Sequence, residues 1–248
     1  MASGYFRNFP IISYTFGDPT NSVSLFQNIT TSISILDELK GNMVFANSAT
    51  IRDGERPDTF SNSLYGTTDY YWTFYFLNQD LRESGWPLTQ RELLPRAKLD
   101  YPNVVLTTAQ DISTVFKTGE SIEGLGSGAV GRIRKKNLDL GQIVVAMNPG
   151  SKSFAADENV FANEEQGIPK LITGVTEQYN SVHHYEDTDG VITDINPATF
   201  NSASTSLIPI TYLNRMTARN DALRTVDVFK PDVAAQVAAE FNNLLRFE

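Results

Sequence analysis

Both histidines of the chain stand side by side in His183-His184-Tyr185-Glu186-Asp187-Thr188-Asp189-Gly190, with three acids close behind. No other stretch has residue types that suggest metal or acid–base chemistry. On extended backbone, neighbouring side chains point to opposite faces, so the two imidazoles are expected apart and unable to share one metal. A helix-borne pair would instead need a spacing of four. Asp187-x-Asp189-Gly190 has the start of a calcium loop, but its twelfth position is Ala198 where a bidentate Glu is required. Asp189-Gly190 between Tyr185 and Val191-Ile192 reads as a hairpin turn. Gly124, Gly126, Gly128 and Gly131 do not have P-loop spacing, and no Lys-Ser or Lys-Thr pair follows. They are expected in tight β-turns.

The 29 acidic residues could supply a carboxylate pair for a hydrolase. No Ser-His-Asp arrangement, metal motif or nucleophile elbow accompanies them, so no catalytic residue, cofactor or metal site is expected. Without cysteine there is neither a disulfide nor a thiolate ligand. A net charge of −9 speaks against nucleic-acid binding, which needs a basic face. The one basic cluster, Arg132, Arg134, Lys135 and Lys136, is expected on a solvated hairpin or in a polar protein contact. No signal peptide is expected at the N-terminus. No apolar run approaches the roughly 20 residues that cross a bilayer.

The elements centre on residues 51–86, IRDGERPDTFSNSLYGTTDYYWTFYFLNQDLRESGW. Pro57-Asp58 reads as a helix start, and Tyr65-Gly66 as its end. A second helix is expected from Thr67 or Thr68 as cap to Asn78 as left-handed terminus. It would carry Tyr70, Tyr71, Trp72, Phe74, Tyr75, Phe76 and Leu77 on nearly every side. A helix apolar all round must be covered all round, so a second domain or another chain is expected on its outer face. Trp86-Pro87-Leu88-Thr89 makes only a poor strand, and a polar helix is expected after it over residues 90–98.

Upstream, Tyr5, Phe6, Phe9, Pro10 and Ile12 form an apolar opening suited to a groove. Val23, Phe26, Ile29, Ile33, Leu36 and Leu39 recur at steps of three and four, which predicts a helix. Residues 100–180 carry short β-prone runs at 104–108, 114–117, 129–134, 142–147 and 170–175, the pattern of a small antiparallel barrel or sandwich. Within them Phe116-Lys117-Thr118-Gly119-Glu120-Ser121-Ile122 echoes Phe154-Ala155-Ala156-Asp157-Glu158-Asn159-Val160. Both could be matching hairpins of one barrel. Residues 196–209 read as a loop. Pro231-Asp232 opens a final amphipathic helix with Val233, Val237, Phe241, Leu244 and Leu245 on one face.

The order of turn, helix, aromatic helix and Asn78 resembles a LysM module, a βααβ unit. The phrases DGERPD, YGTTDYYW, FLN and WPLT, with Tyr5-Phe6-x-x-Phe9-Pro10 before them, resemble the small baseplate wedge subunits of T-even-type contractile-tail phages. The His-His-Tyr phrase, and Asn220, Arg224, Val226 and Pro231, continue the likeness. It touches the first 98 residues and roughly the last 70. Together with the strand pattern of the middle, the resemblance leads to the expectation of an α+β fold with four parts. These are an N-terminal arm and helix (1–42), a LysM-like module (43–99), a small β-barrel-like domain (100–180), and a C-terminal hairpin, loop and helix segment (181–248) packing back on the subunit core.

It further implies a structural virion protein, not an enzyme, that joins adjacent wedges into a six-fold baseplate ring and is assembled in the host cytoplasm. Its partners would be other wedge subunits, neighbouring wedges and the sheath, not nucleic acid or membrane. Interaction residues are expected at Tyr5, Phe6, Phe9, Tyr71, Trp72, Tyr75, Phe76 and Trp86, because buried rings concentrate interface energy. The competing function is a LysM-type module that binds peptidoglycan.

Overall fold

The structure, a computed structural model, describes residues 9–14, 23–27, 45–162, 169–200 and 206–247. Helix takes 29% and strand 31% of the chain, and the sheets are antiparallel, so the fold is α+β. The chain divides into two units: Met1–Thr89 with Asn220–Glu248, and Gln90–Arg219. The second is thus inserted into the first. The four-part division expected above differs from this one. Residues 90–99 and 181–219 count with the curled sheet, and the C-terminal strand and helix count with the aromatic helices.

The first unit includes β1 (Ile11–Tyr14) and β2 (Ser24–Gln27), which pair as an antiparallel ribbon. It continues through β3 (Ala46–Thr50), α1 (Pro57–Tyr65), α2 (Trp72–Leu77) and α3 (Gln79–Ser84). The second unit contains α4 (Gln90–Asp100), β4 (Val104–Thr107), β5 (Ser121–Gly124), β6 (Val130–Asn137) and β7 (Gln142–Met147). After these come β8 (Asn159–Ala162), β9 (Lys170–Leu171), β10 (Gly174–Glu177), β11 (Val182–Glu186), β12 (Ile192–Thr193) and β13 (Ile208–Thr211). Helix α5 (Tyr212–Ala222) leads back to the first unit, which β14 (Thr225–Phe229) and α6 (Pro231–Phe247) complete.

Pro57 starts α1 where its missing N–H costs nothing, and Gly66 ends it at φ 71°, a left-handed position that glycine takes without a Cβ clash. The second helix departs from expectation at both ends. It begins at Trp72, with a turn over residues 67–71 in place of a Thr67 or Thr68 cap, and Asn78 is extended (φ −107°) rather than left-handed. The reason is visible at Asn78. Its amide donates to the Asp227 carbonyl (2.8 Å) and accepts from the Asp227 N–H (2.9 Å), pairing with β14 as a peptide would. Asn220 does the same to Leu88, accepting its N–H at 2.7 Å and donating to its carbonyl at 3.0 Å. Arg224 then joins that carbonyl (3.0 Å) to Asp53 (2.7 Å).

Trp86-Pro87-Leu88-Thr89 is not the returning strand. Pro87 has no N–H for a ladder, and the place beside β3 belongs to β14, with Ala46 opposite Phe229 and Thr50 opposite Thr225. The predicted helix from Val23 fails at its start, since Ser24–Gln27 pair with Ile11–Tyr14. Cross-strand partners outweigh periodicity in so short a window. Residues 28–44, which include Ile29, Ile33, Leu36 and Leu39, lie outside the described residues.

In the second unit the sheet order is β10-β4-β7-β6-β5-β8-β9. One bent run, 170–177, pairs first with β8 and then with β4, so the curled sheet is served at both ends by the same chain. Leu106, Ile122, Ile133, Ile143, Val145 and Ile172 fill its interior with essentially no exposure. The expected strand over 114–117 is absent. There Phe116 adopts φ 61°, and its ring is buried in the barrel core. Lys136 holds this loop by donating to the carbonyls of Ile112, Ser113 and Val115 (2.9, 3.1 and 2.7 Å). The basic cluster therefore divides, with Arg132, Arg134 and Lys135 exposed and Lys136 structural.

The echoed heptapeptides occupy equivalent places. Gly119 and Asp157 both have positive φ, and each donates to an isoleucine carbonyl, of Ile133 (2.8 Å) and Ile172 (2.9 Å). Those isoleucines return N–H bonds to the Glu120 and Glu158 carbonyls, both at 2.9 Å. The two runs lead into β5 and β8, which pair antiparallel with Ile122 opposite Ala162 and Gly124 opposite Val160. The curled sheet thus has an internal two-fold relation.

Glu158 marks where the halves diverge. Its buried carboxylate accepts from the N–H groups of Gly126, Ser127 and Ala155 and from the Ser127 hydroxyl, at 2.7–3.0 Å. The glycine-rich turn is shaped around this internal anion. A Cβ on Gly124 would sit 2.7 and 2.8 Å from its oxygens. Burial alone would raise the carboxyl pKa, but the hydrogen bonds from Ala155, Ser127 and Gly126 together outweigh it and hold it below the ordinary 4.5. A carboxylate so depressed stabilises the fold fully above 4.5, and the contribution is lost as pH falls below 4.5 toward the lowered value. Glu158→Ala leaves the turn's donors unmet. It should lower stability at pH 7 by about 2–4 kcal/mol in urea denaturation, with a much smaller deficit in strong acid.

Candidate interaction surface

The aromatic run divides along α2 between two packed groups within the first unit. Phe74, with no exposed surface, meets Phe60 (ring centroids 5.0 Å) and stacks with Tyr65 (6.0 Å, planes 16° apart). Tyr71, Tyr75 and Trp86 close around them with Ile51, Val226 and Val228. Tyr75 and Trp86 are 6.0 Å apart, and the Trp86 indole donates to the Glu55 carbonyl at 2.7 Å. On the other side Trp72, Phe76, Leu77 and Tyr70 pack on Phe229, Ala234 and Val237. Trp72 lies 4.6 Å from Phe241 of α6 and 5.8 Å from Phe76.

Every ring of the run is buried or half-buried by the chain's own β14 and α6. Much of the cover expected from a second domain or another chain is supplied by these two elements, while of the rings only Phe74 is sealed completely. The two covering elements come from the far end of the sequence, where pattern reading treats them as a separate part. Burial also explains the phenols. It pushes the Tyr65 hydroxyl, which donates to the Phe229 carbonyl (3.1 Å), up to about 12, and it raises that of Tyr75, with Tyr71 adding to the effect.

Of the other expected contact residues, Phe9 is buried, with its ring edge-on to Phe241 at 6.3 Å. The structure so gathers Phe9 and Trp72 on Phe241, and Tyr71, Tyr75 and Trp86 in the neighbouring cluster. Tyr5 and Phe6 lie outside the described residues.

Beyond Phe9 the chain leaves the core as the β1–β2 ribbon, and here apolar surface is open to solvent. Ile11 is 69% and Leu25 71% exposed, and Ile12, Tyr14, Val23 and Phe26 are exposed as well. The register sets Ser13 opposite Leu25 and Ile12 opposite Phe26. Alternation then places Ile11 and Leu25 on one face, with Ile12, Tyr14 and Phe26 on the other. No charged residue occurs in 9–14 or 23–27, although the chain carries −9 overall. A two-stranded ribbon is marginal in water by itself, and edges without Lys, Glu or a bulge lack the usual protection against pairing with another chain. Sequence reasoning included Phe9 but missed the ribbon. The available signal was the absence of charge on two β-prone runs.

The histidines are arranged differently from expectation. The β11–β13 register shifts between Val182 and His184, a bulge that turns successive side chains toward one side. Instead of facing opposite ways, the two rings touch, Nδ1 to Nδ1, at 2.8 Å. The Asp-Gly turn is as expected, with Gly190 donating to the Asp187 carbonyl at 3.1 Å and φ 77°. Among the described residues, no group of three His, Asp or Glu side chains could hold a metal ion. Nor is any described helix long and apolar enough to cross a membrane. No protein-family model matches the chain, and no curated protein is significantly similar to it.

The two apolar regions should respond to mutation in opposite ways. Trp72→Ala removes a ring wedged against Phe241 and should cost about 2–4 kcal/mol of stability in chemical denaturation. Leu25→Ser, on the ribbon, should change it by no more than about 0.5 kcal/mol.

Proposed function

We propose that this chain is a structural assembly protein, a baseplate wedge subunit of a contractile phage tail that joins adjacent wedges into the ring. The observation that carries the reading is the uncharged ribbon with apolar side chains on both faces. Such a ribbon gains by being gripped on two sides and has no use in a free monomer. Anchoring by Phe9 gives it a fixed root on the first unit. The spaced phrases DGERPD, YGTTDYYW, FLN and WPLT supply the choice of assembly. Residues of these phrases make contacts within the first unit: Asp53 with Arg224, Tyr65 with Phe74, and Asn78 with Asp227.

The LysM-like part of the reading rests on β3, α1 and α2 followed by an antiparallel partner strand. That partner is β14, delivered after the barrel insert, which accounts for the poor return strand read near Trp86. The half-buried rings of α2 hold this module together, and the ribbon offers a further place of attachment.

The reading is tested by mass-spectrometric inventory of purified contractile tails with chemical cross-linking. The chain is expected in the baseplate fraction, cross-linked to other wedge subunits; its absence would overturn the proposal. Ile11→Glu with Leu25→Glu should leave the isolated protein folded and as stable as the parent, yet remove it from assembled tails. Retention on peptidoglycan that N-acetylglucosamine oligomers compete away would favour glycan binding instead.

A further inference from the structure

The contact between the histidines belongs to a longer chain of hydrogen bonds within the second unit. Arg215 of α5 donates from Nη1 to His183 Nε2 at 2.7 Å. His183 and His184 meet through their Nδ1 atoms at 2.8 Å, and His184 Nε2 lies 2.9 Å from Glu186 Oε1. An arginine only donates and a carboxylate only accepts, so the two ends dictate the protons between them. His183 must keep Nε2 as a lone pair and carry its proton on Nδ1. That proton is donated to His184 Nδ1, which leaves the His184 proton on Nε2, facing Glu186. With both imidazoles neutral, all four ring nitrogens are satisfied.

No position in the chain remains for another proton. If His183 takes it, Nε2–H confronts the Arg215 N–H, donor against donor and cation against cation. If His184 takes it, Nδ1–H confronts the Nδ1–H of His183, whose proton must move to Nε2 and again confronts Arg215. Entry at either ring breaks the same bond, the one between His183 of β11 and Arg215 of α5.

We propose that this chain is a proton-operated latch: neutral His183 fastens α5 to β11 through Arg215, and a single added proton releases the helix from the strand. The surroundings favour release over accommodation. From α5 come Arg215 and the Tyr212 ring, edge-on at 4.9 Å, with Tyr101 4.7 Å behind it. Lys135 of β6 adds a second positive charge, and β11 itself adds His184 and Glu186. Strand β13 presents only Ile208, Pro209, Ile210 and Thr211, none of them titratable. Burial first, then the charges of Arg215, His184 and Lys135, hold His183 below its ordinary 6.5. A base with a depressed value favours the folded state fully above 6.5, and the benefit is lost as pH falls below 6.5 toward the lowered value. The latch is therefore closed at neutral pH and opens in mild acid.

Imidazole ¹⁵N spectroscopy of the full chain between pH 8 and 5 tests this directly. At pH 8 we expect His183 as the Nδ1–H tautomer and His184 as the Nε2–H tautomer, with the Arg215 side-chain signal lost from its bonded position as His183 charges. The wild-type thermal midpoint should fall by about 3–5 °C for each unit by which the His183 value is lowered, a loss that His183→Gln should not share. Opposite tautomers at pH 8, a charged His183 still bonded to Arg215, or parallel melting of wild type and His183→Gln would each overturn the latch. Should His183→Gln fail to fold, Arg215→Met serves instead. It should raise the His183 midpoint toward 6.5, and an unmoved midpoint would equally refute the proposal.

Discussion

Phe74 is the point on which the first unit depends. It has no contact with water, and the side chains around it come from stretches far apart in sequence: Phe60 and Tyr65 before it, Trp86 after it, Val226 and Val228 from beyond the inserted barrel. Burying a ring of this size on all sides is a large apolar gain for the unit. It requires β14 to lie beside β3. That requirement in turn explains the polar fittings nearby. Asn78 pairs with Asp227 where α2 meets β14, and Asn220 with Arg224 pins the Leu88 peptide and Asp53. Each is a side chain replacing a peptide group where the backbone alone could not complete its hydrogen bonds.

The barrel solves the same accounting problem with charge. Glu158 fills a turn of inward-pointing N–H groups that would otherwise resemble an empty anion site, and Lys136 collects three carbonyls of the loop that seats Phe116. These groups have ordinary residue types for a surface, and nothing in their sequence neighbourhood distinguishes them from solvated charges. The heptapeptide echo is the exception. Gly119 and Asp157 align in it because both halves need positive φ at that step, and Glu120 and Glu158 align because each accepts an N–H three residues back, from Lys117 and from Ala155.

Legibility in the sequence followed the range of the forces involved. Local signals were readable: Pro57 and Gly66 bound α1 as expected, residues 142–147 form β7, and Asp-Gly makes the turn after β11. Pairings between distant segments were not. The alternation of His183 and His184 failed because a bulge is set by the partner strand β13, and the helix from Val23 failed because β1 supplied the hydrogen bonds. The candidate surface shows the same division. Phe9 and the α2 rings were recognised as needing cover, but the cover lies in β14 and α6, and the solvent-facing ribbon carries no motif beyond a lack of charge.

Joining Ala46 to Phe229 across an inserted unit also orders events in time. Closing so long a loop of unfolded chain is entropically slow, whereas the barrel's own pairings span shorter stretches. Once the barrel has condensed, the separation to be searched shrinks, and β14 arrives beside β3 at far higher local concentration. During synthesis, α1 and α2 must then wait with their rings unshielded until the last strand and helix leave the ribosome. An organism making this chain in quantity would benefit from a holding chaperone during that interval.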